Sequence, residues 1–131
     1  MTILIISYGW RHSAPPEADL HVDARRLLRA APHEDPTMRY LTGLDAAVYC
    51  DVLDTPGARS LVRHVASVAR DLAQILPHRQ IVVGVGSQSG RHRAPALAQA
   101  ILRDLHAHKV SDAEITHRDL GKPVIQGRGR G

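Results

Sequence analysis

The stretch IVVGVGSQSGRHRAP, from Ile81 to Pro95, runs from an apolar segment through a glycine-rich loop into a helical pattern. Its first six residues are apolar or glycine, as in a parallel strand that is covered on both faces. Between His92 and His108, Leu97, Ile101 and Leu105 recur on one face of an amphipathic helix. A strand that turns directly into a helix is the repeating unit of α/β folds, so this stretch predicts the fold class.

The rest of the chain continues the alternation. Further strands are predicted over residues 2–7, 18–25 and 113–117. Thr55 and Pro56 predict the N-cap and first residue of another helix, which Pro77 ends. Its predicted buried stripe consists of Leu61, Val65, Val68, Leu72 and Ile75. The sequence therefore predicts a single-domain, layered α/β fold with a mainly parallel sheet.

Composition limits the classes of function. The chain has 131 residues, enough for one domain with a real core, and aromatic residues make up only 3% of it. That scarcity argues against modules that stack nucleobases on exposed aromatic side chains. The formal net charge of +4 favours anionic partners such as phosphorylated metabolites or nucleic acid.

The single cysteine, Cys50, excludes an internal disulfide and any metal site built from several cysteines. We expect it to be a small buried hydrophobic residue. No apolar run approaches membrane-spanning length, and the first residues do not form a signal-peptide pattern. We therefore expect a cytoplasmic protein with no membrane partner, no cofactor and no metal.

The glycine-rich loop has the composition of an anion site. It lies where a strand meets a helix N-terminus, which offers unpaired backbone N–H groups and the positive end of the helix dipole. Glycines at 84, 86 and 90 would let the backbone approach an anion, and Arg91, His92 and Arg93 add positive charge. The alternative is a glycine-rich turn whose arginines are simply solvated.

Two enzymatic interpretations can be tested by spacing. A P-loop requires G-x-x-x-x-G-K-[ST], which the loop does not contain. Ser87 and Arg93 have the six-residue spacing of a phosphatase-like cradle, but a serine hydroxyl replaces the nucleophilic cysteine. An enzyme that processes phosphoesters with Ser87 or His92 remains the alternative to a binding module with no catalytic residues.

Five short segments of the chain carry a family resemblance: SYGW at 7–10, EADL at 17–20, LTGLD at 41–45, GSQSGRHR at 86–93 and HRDL at 117–120. In this order they resemble motifs in the C-terminal domain of the RapZ family of RNase adapter proteins. The segment at 86–93 is similar to that family's G-C-T-G-G-x-H-R loop, although Ser-Gln-Ser stands in place of Cys-Thr-Gly.

The resemblance implies a phosphofructokinase-subdomain-like fold that binds glucosamine-6-phosphate and engages small RNA and an RNase. The family's N-terminal P-loop domain has no counterpart in this sequence. We expect residues 1–126 to form the binding domain and 127–131 to be a disordered basic tail. Such a domain is expected either to associate with itself or to act with a separate P-loop protein.

Carried over by position, the resemblance implies a set of ligand-binding residues: Asp23, Arg25, His33, Ser87, Gln88, Ser89, Gly90, Arg91, His92 and Arg93. Backbone N–H groups of Ser89 and Gly90 would hold a phosphate. Asp23 would accept hydrogen bonds from the sugar, or would simply pair with Arg25. Weaker electrostatic signals for RNA binding come from five arginines: Arg25, Arg26, Arg29, Arg128 and Arg130. Trp10 belongs either to the core or to the wall of the pocket.

Overall fold

The computed structural model describes residues 2–27 and 38–123, apart from the side chains of residues 26 and 27. Four strands form one parallel sheet: β1 (Ile3–Gly9), β2 (Leu20–Asp23), β3 (Ile81–Ser87) and β4 (Glu114–His117). Their order is β2-β3-β1-β4, and β1 pairs with β3 along its whole length. The predicted α/β class with a parallel sheet is confirmed.

The helices cover one face of this sheet. They are α1 (Ala24–Leu27), α2 (Ala46–Leu53), α3 (Ala58–Ile75) and α4 (Arg93–Ala107). α4 packs on β1 and β3, and both α2 and α3 pack against α4. Alternate strand residues such as Ile5 and Val83 point into this layer and are fully buried. The predicted face of α4 is confirmed, because Leu97, Ile101 and Leu105 are at most 1% exposed.

On the opposite face of the sheet, the rings of Tyr8 and Trp10 lie over β3. A Cβ atom on Gly86 would lie 2.5 Å from the Tyr8 ring and 2.8 Å from Trp10 Nε1. The two rings meet edge to face, with centroids 5.8 Å apart. Glycine in β3 therefore makes room for the aromatic side chains of β1 and its loop.

The start of α3 differs from the prediction. The structure contains α2, an eight-residue helix that the sequence analysis did not predict, and the chain then turns before α3 begins at Ala58. The Thr55 hydroxyl donates to the Asp51 carbonyl at 3.2 Å, so Thr55 completes the end of α2. The N-cap of α3 is Gly57, with φ +89°. The prediction of Thr55 as N-cap and Pro56 as first residue was wrong because it overlooked the preceding helix.

Two predictions of burial were also wrong. α3 buries its smaller residues, Ala58, Val62, Ala66 and Ala69, against the core. Of the predicted stripe, Leu61, Val65 and Leu72 are partly buried against the core. Val68 and Ile75 instead face solvent and are 44% and 69% exposed. Cys50 is exposed, since the face of α2 that meets the core carries Val48 and Val52 instead.

In the described part of the chain, no helix combines the length and the apolarity needed to cross a membrane.

Candidate functional site

The four strands end at the same edge of the sheet because they are all parallel. Their last residues are Gly9, Asp23, Ser87 and His117. Ligands of open α/β sheets bind at this edge, in the loops that follow the strands. The loop of residues 86–93 leaves β3 here and enters α4 at Arg93, with His92 as the N-cap.

The loop packs onto the end of β1, backbone against backbone. A Cβ atom on Gly9 would lie 2.3 Å from the Ser89 carbonyl oxygen, and one on Gly90 would lie 2.6 Å from the Gly9 nitrogen. Gly90 also has φ +73°, a left-handed conformation that favours glycine. Both glycines are therefore required by close packing of the loop, apart from any approach of a ligand.

Two serine hydroxyls accept hydrogen bonds from the loop's own backbone. The Gly90 N–H donates to Ser87 Oγ at 3.2 Å, and the Arg91 N–H donates to Ser89 Oγ at 3.3 Å. These distances lie at or just beyond the long end of the usual 2.7–3.2 Å range. Ser87 is completely buried and Ser89 is 7% exposed. An anion held by the N–H group of Gly90 would therefore replace a serine oxygen as its acceptor.

Arg91, His92 and Arg93 hold the loop to neighbouring segments. Arg91 donates from Nε to the Leu41 carbonyl at 3.0 Å and from its terminal nitrogen to the Tyr40 carbonyl. His92 Nε2 lies 3.1 Å from the Met38 carbonyl oxygen, and Arg93 donates to the Ala24 carbonyl at 3.1 Å. His92 and Arg93 are each only 3% exposed. The structure thus places a guanidinium and an imidazole inside the protein at the start of α4.

The LTGLD segment at 41–45 packs against the backbone of the loop. The Gly43 N–H donates to the Arg91 carbonyl at 2.8 Å. A Cβ atom on Gly43 would lie 2.3 Å from the His92 carbonyl oxygen, which itself accepts the Ala96 N–H of the first turn of α4. The Asp45 carboxylate accepts the Thr42 N–H at 2.7 Å. Sequence reasoning found this motif only through the family resemblance and gave it no role.

Asp23 and Arg25 form a bidentate ion pair beside the loop. Arg25 Nε and its terminal nitrogen donate to the two carboxylate oxygens of Asp23 at 2.9 and 2.8 Å. The same guanidinium lies 3.8 Å from the centroid of the Trp10 ring. The structure thus shows the pairing that the sequence analysis gave as an alternative, at the end of the strand next to β3.

A cavity of about 490 Å³ lies next to this pair, on the face of the sheet where the Tyr8 and Trp10 rings lie. Its lining residues are Tyr8, Trp10, Pro15, Pro16, Glu17, His21 and Asp23. Burial raises the pKa of the Tyr8 hydroxyl, and the charge of Asp23 raises it further. Trp10 therefore lies in the wall of a pocket, with Arg25 stacked on its ring.

The HRDL segment holds the end of β1 from the other side. The fully buried Asp119 carboxylate accepts the Gly9 N–H at 2.6 Å and pairs with Arg118 at 2.8 Å and Lys122 at 2.6 Å. These donors outweigh the effect of burial and lower the pKa of Asp119 to about 2. Arg118 also donates to the carbonyls of Ser13 and Ala14, which fixes the loop after β1. Sequence reasoning gave neither Arg118 nor Asp119 a role.

Ser7 and His117 form a further pair between β1 and β4. Ser7 Oγ lies 2.6 Å from His117 Nδ1, and Ser7 is completely buried. Burial lowers the pKa of His117, so its ring is neutral near pH 7. The pair joins an edge strand to the centre of the sheet.

The structure thus brings most of the predicted ligand-binding residues to one edge. The loop residues Ser87, Gln88, Ser89, Gly90, Arg91, His92 and Arg93 are contiguous there, and Asp23 and Arg25 follow on the neighbouring strand. His33, Arg29, Arg128 and Arg130 lie outside the described residues. The backbone of Arg26 belongs to α1, but its side chain is outside the description. Within 2–27 and 38–123, no group of three His, Cys, Asp or Glu side chains has the arrangement of a metal site.

Comparison with known proteins agrees with these motifs. The family described as the RapZ C-terminal domain matches residues 1–121. A nucleotide-binding protein of Rubrobacter xylanophilus is 38% identical over 92% of this chain, and one of Deinococcus radiodurans is 31% identical over 94%. The chain spans only 41% and 45% of the lengths of these two relatives. It belongs to the RapZ C-terminal domain family.

Proposed function

We propose that this domain is a binding module without catalytic residues that takes up a phosphorylated small molecule at the loop of residues 86–93. The observation that supports this proposal best is the burial of His92 and Arg93 at the N-terminus of α4. A guanidinium that has already lost most of its water binds an anion more strongly than a solvated one does. Family membership supports a regulatory or adapter role in general terms.

The ligand class that the resemblance favours is an amino-sugar phosphate such as glucosamine-6-phosphate. The phosphate would bind at the loop, and Asp23 and Arg25 would lie beside its organic part. Arg25 already donates hydrogen bonds to both carboxylate oxygens of Asp23. Contact with a sugar would therefore require this bidentate pair to open, or the carboxylate to accept a further hydrogen bond. His33 belongs to the same proposed set and lies outside the described residues.

Thermal shift measurements test this proposal with glucosamine-6-phosphate, glucosamine and inorganic phosphate as separate ligands. A ligand at 100 times its Kd stabilises the folded state by about 2.7 kcal/mol, which raises the melting temperature measurably. We expect the phosphorylated sugar to raise it most and unphosphorylated glucosamine least.

The matched variants are Arg93→Gln, which removes the buried charge, and Arg63→Gln, which removes an exposed charge on α3. Each variant is compared with its own ligand-free melting temperature, because Arg93→Gln also changes a contact with Ala24. Arg93→Gln should abolish the shift and Arg63→Gln should retain it. No shift with any phosphorylated compound, or equal shifts in the two variants, would contradict the proposed site.

The burial of Ser87 favours a non-catalytic binding module over an enzyme that processes phosphoesters. Its hydroxyl is completely buried and accepts the Gly90 N–H, and among the described residues no His, Asp or Glu side chain hydrogen-bonds to it. A serine nucleophile needs an adjacent base and access to its substrate. Sustained hydrolysis of p-nitrophenyl phosphate that disappears in Ser87→Ala would overturn this assignment.

We further propose that the module couples its ligand to RNA and an RNase, as the resemblance implies. Filter binding at several salt concentrations tests RNA binding. Each phosphate contact to single-stranded RNA contributes about −0.7 to the slope of the logarithm of the binding constant against the logarithm of the salt concentration. Competition by glucosamine-6-phosphate would indicate coupling of the two sites. RNA affinity that is insensitive to salt would contradict a basic RNA-binding surface.

Nucleotide binding, which the names of the longer relatives state, belongs in this proposal to the part of those proteins outside this domain. The sequence contains no G-x-x-x-x-G-K-[ST] segment.

A further inference from the structure

The cavity of about 490 Å³ that Tyr8 and Trp10 line has the size of a small-molecule site. Among the described residues that line it, none belongs to the loop of residues 86–93. The loop that joins β1 to β2 lies over the sheet here, because a Cβ atom on Gly84 would lie 3.4 Å from Ala18 Cβ of that loop. The cavity can therefore take a ligand that makes no contact with the loop of residues 86–93.

The loop between β1 and β2 is held at both of its ends. At the first, Arg118 donates to the carbonyls of residues 13 and 14. At the second, the Asp19 N–H donates to the Val82 carbonyl and the Asp19 carboxylate accepts the Val82 N–H, each at 2.8 Å. The two prolines between these ends, at positions 15 and 16, have a fixed φ. The cavity is therefore preformed, and a ligand would not have to order this loop.

Two buried donors at the cavity have no hydrogen-bond partner among the described residues: the Tyr8 hydroxyl and the Trp10 indole N–H. Tyr8 is completely buried. A hydroxyl that has lost water without gaining a partner destabilises the folded state. A polar ligand atom in the cavity would supply the missing partner.

The charges around the cavity favour a cation. Two of its described lining residues, Glu17 and Asp23, are carboxylates, and none of them is a lysine or an arginine. Asp23 is paired with Arg25, whereas Glu17 forms no ion pair within the described part of the chain. The whole chain has a formal net charge of +4, so this local excess of negative charge runs against the overall balance.

The aromatic rings favour a cation that also has an apolar body. The face of an aromatic ring attracts positive charge. The Arg25 guanidinium lies 3.8 Å from the centroid of the Trp10 ring. That of Arg118 lies 5.3 Å from the centroid of the Tyr8 ring. Because the prolines at 15 and 16 add apolar surface to the wall, an organic ammonium matches both the charge and the lining.

We propose that this cavity is a binding site for a small organic amine in its protonated form. The ammonium group lies between the Glu17 carboxylate and the Tyr8 hydroxyl, whose oxygen accepts a hydrogen bond from it. The apolar part of the ligand packs against Trp10 and the two prolines. This site needs no phosphate group and is independent of the binding proposed for the loop of residues 86–93.

Trp10 is the only tryptophan of the chain, so its fluorescence reports on the wall of this cavity. The probe is 2-phenylethylamine, and 2-phenylethanol and 3-phenylpropionate are neutral and anionic probes of similar shape. We expect the amine to bind with a dissociation constant of about 1 mM, as a ligand of about ten non-hydrogen atoms. The alcohol should bind about fivefold more weakly, and the carboxylate more weakly still. Ligand-observed saturation-transfer NMR detects any binding that leaves the fluorescence unchanged.

The charge at the cavity is tested by Glu17→Gln, with Glu114→Gln as the matched control on the exposed side of β4. Glu17→Gln should weaken binding of the amine by about fivefold and abolish the preference for the amine over the alcohol. Glu114→Gln should bind all three probes as the wild type does.

Tyr8→Phe separates a ligand contact from a structural role. Since the hydroxyl has no partner in the described part of the chain, its removal should maintain or raise the melting temperature of the ligand-free domain. The same variant should bind the amine about fivefold more weakly. A lower melting temperature would contradict the proposal, because it would mean that the hydroxyl already serves the fold.

Three further results would overturn the proposal. The first is no binding of the amine up to about 10 mM by either measurement. The second is equal binding of the three probes, and the third is binding that Glu17→Gln and Tyr8→Phe leave unchanged. Inorganic phosphate should not displace the amine, so failure of the phosphate site and failure of this site give different results.

Discussion

The loop after β3 and the outer side of α3 depart in opposite ways from the rule that apolar side chains are buried and polar side chains are exposed. In the loop, polar side chains are buried: Ser87, Ser89, His92 and Arg93 are at most 7% exposed. On α3, Val68 and Ile75 are exposed although they belong to an apolar stripe. Buried polar groups and exposed apolar patches are the informative exceptions, because each has a cost that a ligand or a partner can relieve. Both places are therefore candidates for binding.

The largest expected effect on the packing of the loop comes from Gly90→Ala. The added Cβ atom would lie 2.6 Å from the Gly9 nitrogen, at a residue with φ +73°. We expect a loss of about 4 kcal/mol in the free energy of unfolding, since the left-handed conformation costs about 1–2 kcal/mol and the backbone clash adds to it. Urea denaturation measures this loss.

Gly57→Ala is the matched control. Gly57 has φ +89°, but a Cβ atom there would meet nothing within 4 Å. Its expected cost is only the conformational part, about 1 kcal/mol. Equal losses in the two alanine variants would show that the packing of the loop onto β1 contributes little.

The next effect in size concerns Asp119, which holds Gly9 against the loop. Its pKa is lowered from 3.8 to about 2 in the folded protein, so its stabilising contribution is complete above pH 3.8 and is lost as the pH falls toward 2. At 1.36 kcal/mol for each pH unit, the contribution is about 2 kcal/mol. We expect Asp119→Asn to lose about this much at pH 7.

The pH profile separates this charge effect from a simple packing defect. Between pH 5 and pH 2 the free energy of unfolding of wild type should fall more than that of Asp119→Asn, by about 2 kcal/mol. Urea denaturation at each pH measures both curves. Parallel curves would show that Asp119 is not the group that titrates.

The smallest expected effect sharpens the comparison on α3. Val62→Ala removes a side chain that is 6% exposed and should cost about 2 kcal/mol, whereas Val68→Ala, at 44% exposed, should cost less than about 0.5 kcal/mol. Urea denaturation measures both losses. An equal cost at the two positions would contradict the difference in burial.

Sequence reasoning predicted the fold well where one residue pattern had one structural solution. The buried strand at Ile81 and the face of α4 containing Leu97 follow directly from burial on both faces and from helical periodicity. The same reasoning was only partly right on α3, because alanines contribute little to an apolar pattern even when they are fully buried. Ala66 and Ala69 face the core, while Val68 and Ile75 of the predicted stripe face solvent.

For the candidate site, the sequence indicated the loop but not what holds it. Gly43, Arg118 and Asp119 lie far from the loop in sequence and reach it only through tertiary contacts. No local pattern reports such contacts, and only the family resemblance marked those segments. The pairing of Asp23 with Arg25 was foreseeable from their two-residue separation, whereas the stacking of Arg25 on Trp10 was not.

The bond between Asp119 and the Gly9 N–H joins residues 110 positions apart in the chain. β4 pairs only with β1 in this sheet, and Arg118 beside it fastens the loop that follows β1. During synthesis from the N-terminus, β1 must therefore wait for nearly the whole domain to emerge before its loop is held in place. Contacts of such long range slow folding, so the carboxyl edge of the sheet is expected to be the last part of the domain to order.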